Sequence, residues 1–94
     1  MPRSISAEED ITEKTVTVDT GSLDRLRTVI GVLDENLMTI ARELSLSTRI
    51  DGTKIILTGE EADVGGAVIA NLLDVASAGE NIDKSALLYC ISLA

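Results

Sequence analysis

The sequence predicts an α+β domain in which helices cover one face of a three-stranded antiparallel sheet. Three observations support this prediction: two amphipathic helical patterns meet at Gly31, two β-branched runs flank Asp51-Gly52, and a long helical pattern follows them. A strand pattern precedes the helices, and a short helical pattern ends the chain. The predicted order of elements is therefore βααββαα.

The first strand and the first helix are predicted between residues 15 and 30. The run Thr15–Asp19 alternates polar and apolar side chains and is rich in β-branched residues, which is typical of a half-buried strand. Ser22 is placed to cap the helix that follows, and Gly31 should end it, because glycine readily adopts the left-handed conformation of a C-cap. The apolar face of this helix consists of Leu23, Leu26, Val29 and Ile30.

The second helix and a hairpin come next. Asp34 is placed to accept the free backbone N–H groups at the start of the second helix. Asp51-Gly52 lies between the runs Ser47–Ile50 and Lys54–Thr58, and an Asp-Gly pair between β-branched runs is a good hairpin signal. The apolar stripe of the second helix consists of Leu37, Ile40, Ala41 and Leu44.

A third helix is predicted from about Glu60 to Ala76, and a fourth after Asp83. Thr58 and Glu61 have the spacing of a capping box, and Gly79 should stop the third helix. Asp83 can cap the fourth. The third helix has an apolar face of Val64, Ala67, Val68, Leu72 and Val75, and the fourth has Leu87, Leu88 and Ile91.

Gly65 and Gly66 interrupt the third helical pattern. Each costs about 1 kcal/mol relative to alanine in a helix interior. Close packing of the helix against the sheet or against another domain would compensate, and a ligand contact is the less favoured alternative.

The turn between the first two helices is the candidate functional site. In the KH fold this position has a Gly-x-x-Gly loop whose backbone clamps about four nucleotides. Here the second glycine position is Asp34, where a carboxylate repels phosphate by about 1 kcal/mol when exposed. Basic side chains on the first helix and on the hairpin would border such a groove. The candidate nucleic-acid-binding residues are Gly31, Val32, Leu33, Asp34, Asn36, Arg25, Arg27, Arg49 and Lys54.

The overall charge argues against a free-standing nucleic-acid binder. Sixteen acidic and eight basic residues give a net charge of −8 and a pI near 4.3, whereas phosphate contacts need a basic surface. The four basic candidates can also be interpreted as solvated side chains that offset nearby acids. Tyr89 is the single aromatic residue, so base stacking has little support.

Composition limits the other classes of function. A chain of 94 residues with 45% hydrophobic content suffices for one small core. It has no apolar run long enough for a membrane span and no signal peptide. We therefore expect a cytoplasmic protein. Without histidine, and with Cys90 alone, it offers no zinc site or usual nucleophile. We therefore expect no catalysis, metal or cofactor in this chain.

Residues 1–14 contain an acidic cluster typical of a mobile tail, which leaves 15–94 as the domain.

Four ordered segments resemble the phosphate-starvation-inducible PhoH-like proteins: Gly31-x-x-Asp34-x-Asn36-Leu37, Arg49–Ile55, Thr58–Val64 and Ile82–Tyr89. The resemblance covers about residues 15 to 94. It implies a KH-like N-terminal domain that precedes a P-loop ATPase domain, with ATP and Mg²⁺ required only by that further domain. No Gly-x-x-x-x-Gly-Lys-Ser/Thr motif occurs in this sequence.

Two classes of function follow. The first is a KH-like module that binds single-stranded RNA for the attached ATPase domain. The alternative is a protein-interaction or regulatory domain that controls the ATPase or its homo-oligomer, which suits the acidic surface and the altered loop better.

Overall fold

The computed structural model describes residues 13–93 and has the predicted α+β class and element order. A short 3-10 turn, Val32–Asp34, joins the first two helices. The predicted acidic tail, residues 1–14, lies outside the described residues except for its last two, and Lys14 is already part of the first strand. The elements are β1 Lys14–Asp19, α1 Leu23–Ile30, α2 Glu35–Leu44, β2 Ser47–Asp51, β3 Lys54–Gly59, α3 Ala62–Ser77 and α4 Lys84–Leu93.

The sheet is antiparallel with the strand order β1-β3-β2. Ile55 of the central strand lies between Val18 of β1 and Ile50 of β2. Because directly opposite side chains share a face, these three lie on the side covered by the helices. The other face is largely polar and includes Thr15, Thr17, Arg49, Ile56 and Thr58.

The two-residue loop Gly52-Thr53 closes the predicted hairpin, with Asp51 paired to Lys54. Gly52 has a φ of 64°, and Thr53 has no positive φ, which is the pattern of a type II′ turn. Thr20 ties this loop to the end of β1. Its backbone N–H and its hydroxyl both donate to the carbonyl oxygen of Thr53, at 3.0 and 2.6 Å.

The core lies between the sheet and the helices. It confirms most of the predicted stripes of α1 and α2, but Leu23 of α1 is 56% exposed, and Leu88 of the predicted face of α4 is 43% exposed. Ile40 of α2 is fully buried. On α3 the buried face is rotated from the predicted one, because the two glycines lie against the sheet and Ala67 is exposed. The buried apolar side chains are Leu26, Val29, Ile30, Leu37, Ile40, Leu46, Ile55, Leu57, Ala62, Val68, Ile69, Leu72, Leu87 and Cys90.

Gly65 and Gly66 allow α3 to pack closely on its neighbours. A β-carbon on Gly65 would lie 2.6 Å from Cδ1 of Leu46 and 3.1 Å from Cδ1 of Leu57. A β-carbon on Gly66 would lie 3.0 Å from Cγ1 of Val16. The packing interpretation of the two glycines is therefore confirmed.

The helix N-caps follow the predictions at two of four positions, and one of the two failures is Asp34 at the start of α2. The Ser22 hydroxyl accepts the N–H of Arg25 at 3.1 Å, and the Asp83 carboxylate accepts that of Ala86 at 2.8 Å. The capping box from Thr58 to Glu61 was a wrong prediction, because α3 begins only at Ala62 and its cap residue, Glu61, makes no side-chain capping bond.

Within residues 13–93, every helix is too short or too polar to cross a lipid bilayer.

Candidate functional site

The turn between α1 and α2 has an unusual backbone. Gly31 has a φ of 83° with an extended ψ of 177°, and Leu33 and Asp34 follow in the left-handed region with φ values of 54° and 60°. A side chain in this region costs about 1–2 kcal/mol per residue. Two consecutive strained residues persist only where the surrounding structure holds them.

Asn36 holds the turn in place. Its side-chain amide donates to the carbonyl oxygen of Val29 at 3.2 Å, which links the start of α2 to the end of α1. A β-carbon on Gly31 would lie only 2.8 Å from Nδ2 of Asn36. Glycine is thus required at this position by both its φ and its contact, and Asn36 has a structural role within the candidate site.

Asp34 does not cap α2, and this corrects the sequence prediction. The side chain of Asp34 makes no capping hydrogen bond, and its own N–H donates to the carbonyl oxygen of Gly31 at 3.2 Å. The physical reason is the backbone: an N-cap residue needs an extended conformation, whereas Asp34 is left-handed. Its carboxylate is left exposed on the turn.

The apex of the turn exposes apolar side chains. Val32 is 79% exposed and Leu33 is 89% exposed, and Met38 on the first turns of α2 is 60% exposed. These three line a shallow depression of about 390 Å³ that also includes Arg42 and Lys84. Glu35 lines it as well, so the surface beside the turn combines apolar side chains with charges of both signs.

A second depression, of about 460 Å³, lies where the turn meets the start of α4. Arg27 and Lys84 line it together with Gly31 and Asn36. Glu35 and Asp83 also line it, so the two signs of charge are mixed.

Two basic residues beside the turn were missed by the sequence analysis. Arg42 lies four residues after Met38, so the spacing of neighbours on one helical face could have found it. Lys84 comes from α4, and its position depends on how that helix packs. No local sequence signal connects it to the turn.

The structure places Arg49 and Lys54 away from the turn. Arg49 lies opposite Ile56, and Lys54 precedes Ile55, whose fully buried side chain points to the helices. Side chains alternate across a strand, so Arg49 and Lys54 lie on the open face of the sheet. That face is opposite to the one that the helices cover.

Arg25 also lies outside both depressions. Its guanidinium is near Gly21, before the start of α1, at 3.8 Å from the ideal β-carbon position there. Arg27 is thus the one predicted basic residue, among the four, that the described structure brings to the turn.

Among the residues that the structure describes, two carboxyl groups have clearly lowered pKa values, and neither lines the depressions beside the turn. The N–H of Gly21 and the hydroxyl of Thr53, each 2.9 Å away, lower the pKa of Asp19. The N–H of Val64 lowers the pKa of Asp63 at the start of α3. Both shifts come from hydrogen bonds within the fold, and within residues 13–93 no three His, Cys, Asp or Glu side chains are grouped to hold a metal ion.

Comparison with known proteins relates the chain to one named group. Over 67 residues, or 69% of this chain, it is 30% identical to the PhoH-like protein of Mycobacterium bovis and to those of two strains of Mycobacterium tuberculosis. The match covers 19% of each relative, so the chain corresponds to about a fifth of their length. No family model matches the chain. No solved structure matches it either.

The chain is therefore similar to a segment of PhoH-like proteins, in agreement with the resemblance noted from its motifs.

Proposed function

We propose that this chain is the non-catalytic, KH-like N-terminal domain of a PhoH-like ATPase and that it binds single-stranded RNA for the attached ATPase domain. Three findings support the proposal: the βααββ order with a β1-β3-β2 sheet, the turn at Gly31–Asp34, and the similarity to a segment of PhoH-like proteins. ATP and Mg²⁺ belong to the further domain.

The proposed binding site rests on one observation. The turn at Gly31–Asp34 is held in place by Asn36 and has basic residues around it. Asn36 holds the turn, and Gly31 lacks a side chain that would cover its backbone. Arg27, Arg42 and Lys84 line the two adjoining depressions. A phosphate beside Gly31 would therefore lie in the depression that Arg27 and Lys84 also line.

The acidic groups at the same place limit the affinity. Asp34 is exposed on the turn, and Glu35 and Asp83 line the larger depression. Electrostatic attraction supplies most non-specific affinity for nucleic acid. We therefore expect weak binding that falls steeply as salt is added.

Fluorescence anisotropy with a short single-stranded RNA at two salt concentrations tests the proposal. Arg27→Glu should weaken binding about tenfold at low salt, because an attractive contact becomes repulsive. Asp34→Gly should tighten it several-fold, and glycine tolerates the left-handed backbone there.

Two matched controls separate the turn from the overall charge. Arg25→Glu makes the same change on α1 but outside the depressions, and Asp74→Asn removes an exposed acid on α3. Both should alter binding by less than the corresponding change at the turn. Absence of salt-sensitive binding by the wild type, or equal effects of Arg27→Glu and Arg25→Glu, would contradict the proposed site.

The second candidate function is a protein-interaction or regulatory domain. The exposed apolar side chains of Val32, Leu33 and Met38 favour it, since apolar side chains at the centre of a surface are typical of protein contacts. The variant Leu33→Ser should leave RNA binding unchanged if the backbone of the turn is the contact. If this variant instead reduces stimulation or assembly of the full-length ATPase while RNA binding is absent, the regulatory function is favoured.

A further inference from the structure

The strand β2 offers its outer edge for pairing. It lies at the edge of the sheet, and all five of its residues are exposed. The pair Asp51 and Lys54 closes a two-residue loop, so these two exchange both backbone hydrogen bonds. The alternation along an antiparallel ladder then directs the N–H and C=O groups of Thr48 and Ile50 outward. Outward-pointing backbone groups are a template for another strand.

The charges of β2 are complementary to those of the same strand running in the opposite direction. Arg49 and Asp51 lie on the open face of the sheet on either side of Ile50. When two copies of β2 pair antiparallel about Ile50, Arg49 of each copy lies opposite Asp51 of the other. These are non-hydrogen-bonded pairs, in which opposite residues approach most closely, at about 4.5 Å between Cα atoms.

The same charges exclude the neighbouring registers. Shifting one strand by two residues in either direction places Arg49 opposite Arg49 or Asp51 opposite Asp51 of the second copy. Like charges directly opposite each other destabilise a strand pair. A slip by a single residue sets outward backbone groups of one copy against inward ones of the other. Among these registers, only the one centred on Ile50 satisfies both the charges and the backbone.

We propose that β2 pairs with β2 of a second copy of this chain, which creates a six-stranded antiparallel sheet with a two-fold axis at Ile50. Ile50 is 39% exposed on the helix-covered side, and it would contact Ile50 of the second copy across the axis. Both helical layers then lie on the same side of the sheet. Different residues form the turn at Gly31–Asp34, so this inference does not rest on the RNA proposal.

The dimer is expected to be weak and dependent on concentration. A single strand edge buries less than the roughly 1,600 Å² of a standard protein interface. Its formation is measured by sedimentation equilibrium of the purified chain over a wide range of concentration. The wild type should show a reversible monomer–dimer equilibrium.

Charge reversal on the two partners gives the decisive test. Arg49→Asp and Asp51→Arg each place like charges opposite one another at two positions, so each variant alone should dimerise at least about tenfold more weakly. Mixing the two variants restores a carboxylate opposite a guanidinium at both positions. The mixture should therefore associate as strongly as the wild type.

Asp74→Arg makes the same charge change as Asp51→Arg on α3, and it should associate no more weakly than the wild type. Far-UV circular dichroism verifies that each variant is folded. A wild type that stays monomeric up to about 1 mM overturns the proposal, as does a mixture that associates no better than its components.

Discussion

The side-chain amide of Asn36 occupies the space that a β-carbon on Gly31 would need, with Nδ2 at 2.8 Å from that position. The same amide donates to the carbonyl oxygen of Val29. Gly31 ends α1, and Asn36 lies in the first turn of α2, so the contact sets how the two helices meet. The strained Leu33 and Asp34 lie between these two residues.

The contact between Gly31 and Asn36 predicts non-additive mutations. Gly31→Ala should destabilise the domain by about 1–3 kcal/mol, through its positive φ and the clash with the amide. Asn36→Ala should cost about 1 kcal/mol through loss of the hydrogen bond to Val29. Because Asn36→Ala also removes the clashing group, the double variant should lose less than the sum. Urea denaturation of the four proteins measures this coupling, and strict additivity would refute the contact.

The apolar stripe of α2 predicts a large loss on truncation. Ile40 is fully buried, so Ile40→Ala should reduce the free energy of unfolding by about 2–5 kcal/mol. Met38→Ala on the same helix is the matched control, because Met38 is largely exposed and should cost less than about 0.5 kcal/mol. Equal losses in denaturant melts would mean that the stripe is not buried as described.

The adjacent glycines of α3 should respond differently to alanine. Alanine gains about 1 kcal/mol of helix propensity at either position. At Gly65 the added carbon meets Leu46 and Leu57, which are both buried, so overpacking should cost about 1–3 kcal/mol and cancel or outweigh the gain. At Gly66 the neighbour is Val16 on an edge strand, which is only half-buried and can shift. Thermal melts should therefore rank Gly65→Ala below Gly66→Ala in stability, and the reverse order would contradict this packing.

The lowered pKa of Asp19 predicts a loss of stability in acid. The N–H of Gly21 and the hydroxyl of Thr53 stabilise the carboxylate only in the folded state, so the folded pKa lies below the ordinary value of 3.8. The resulting stabilisation is complete above the unfolded pKa and is lost as the pH falls through the folded pKa.

Asp19→Asn tests this dependence, because the variant has no titrating group at this position. The difference in melting temperature between wild type and variant should be constant near neutral pH and shrink below about pH 4. Asp74→Asn, which removes an exposed carboxylate on α3, is the control. A difference between wild type and Asp19→Asn that does not change with pH would show that these hydrogen bonds do not favour the charged form.

Local patterns in the sequence determined the elements and several of their ends. Alternation, helical spacing and the hairpin signal at Asp51-Gly52 predicted the three strands and four α-helices of residues 13–93, because each of these signals is a property of one short segment. Ser22 and Asp83 cap as expected, since an N-cap needs only a short polar side chain and the next turn of backbone. The hairpin at Gly52 could also be predicted locally, because its tight turn depends on the residues of the loop itself.

The tertiary structure decided which of these residues meet. Asp34 fails as a cap because the packing of α1 on α2 holds it in a left-handed conformation. Arg49 lies on the face of the sheet away from the turn, while Lys84 reaches the turn from α4. Strand register and helix packing set these positions through contacts between distant segments. Periodicity within one segment therefore predicts its structure, but it contains no information on which distant residue lies beside it.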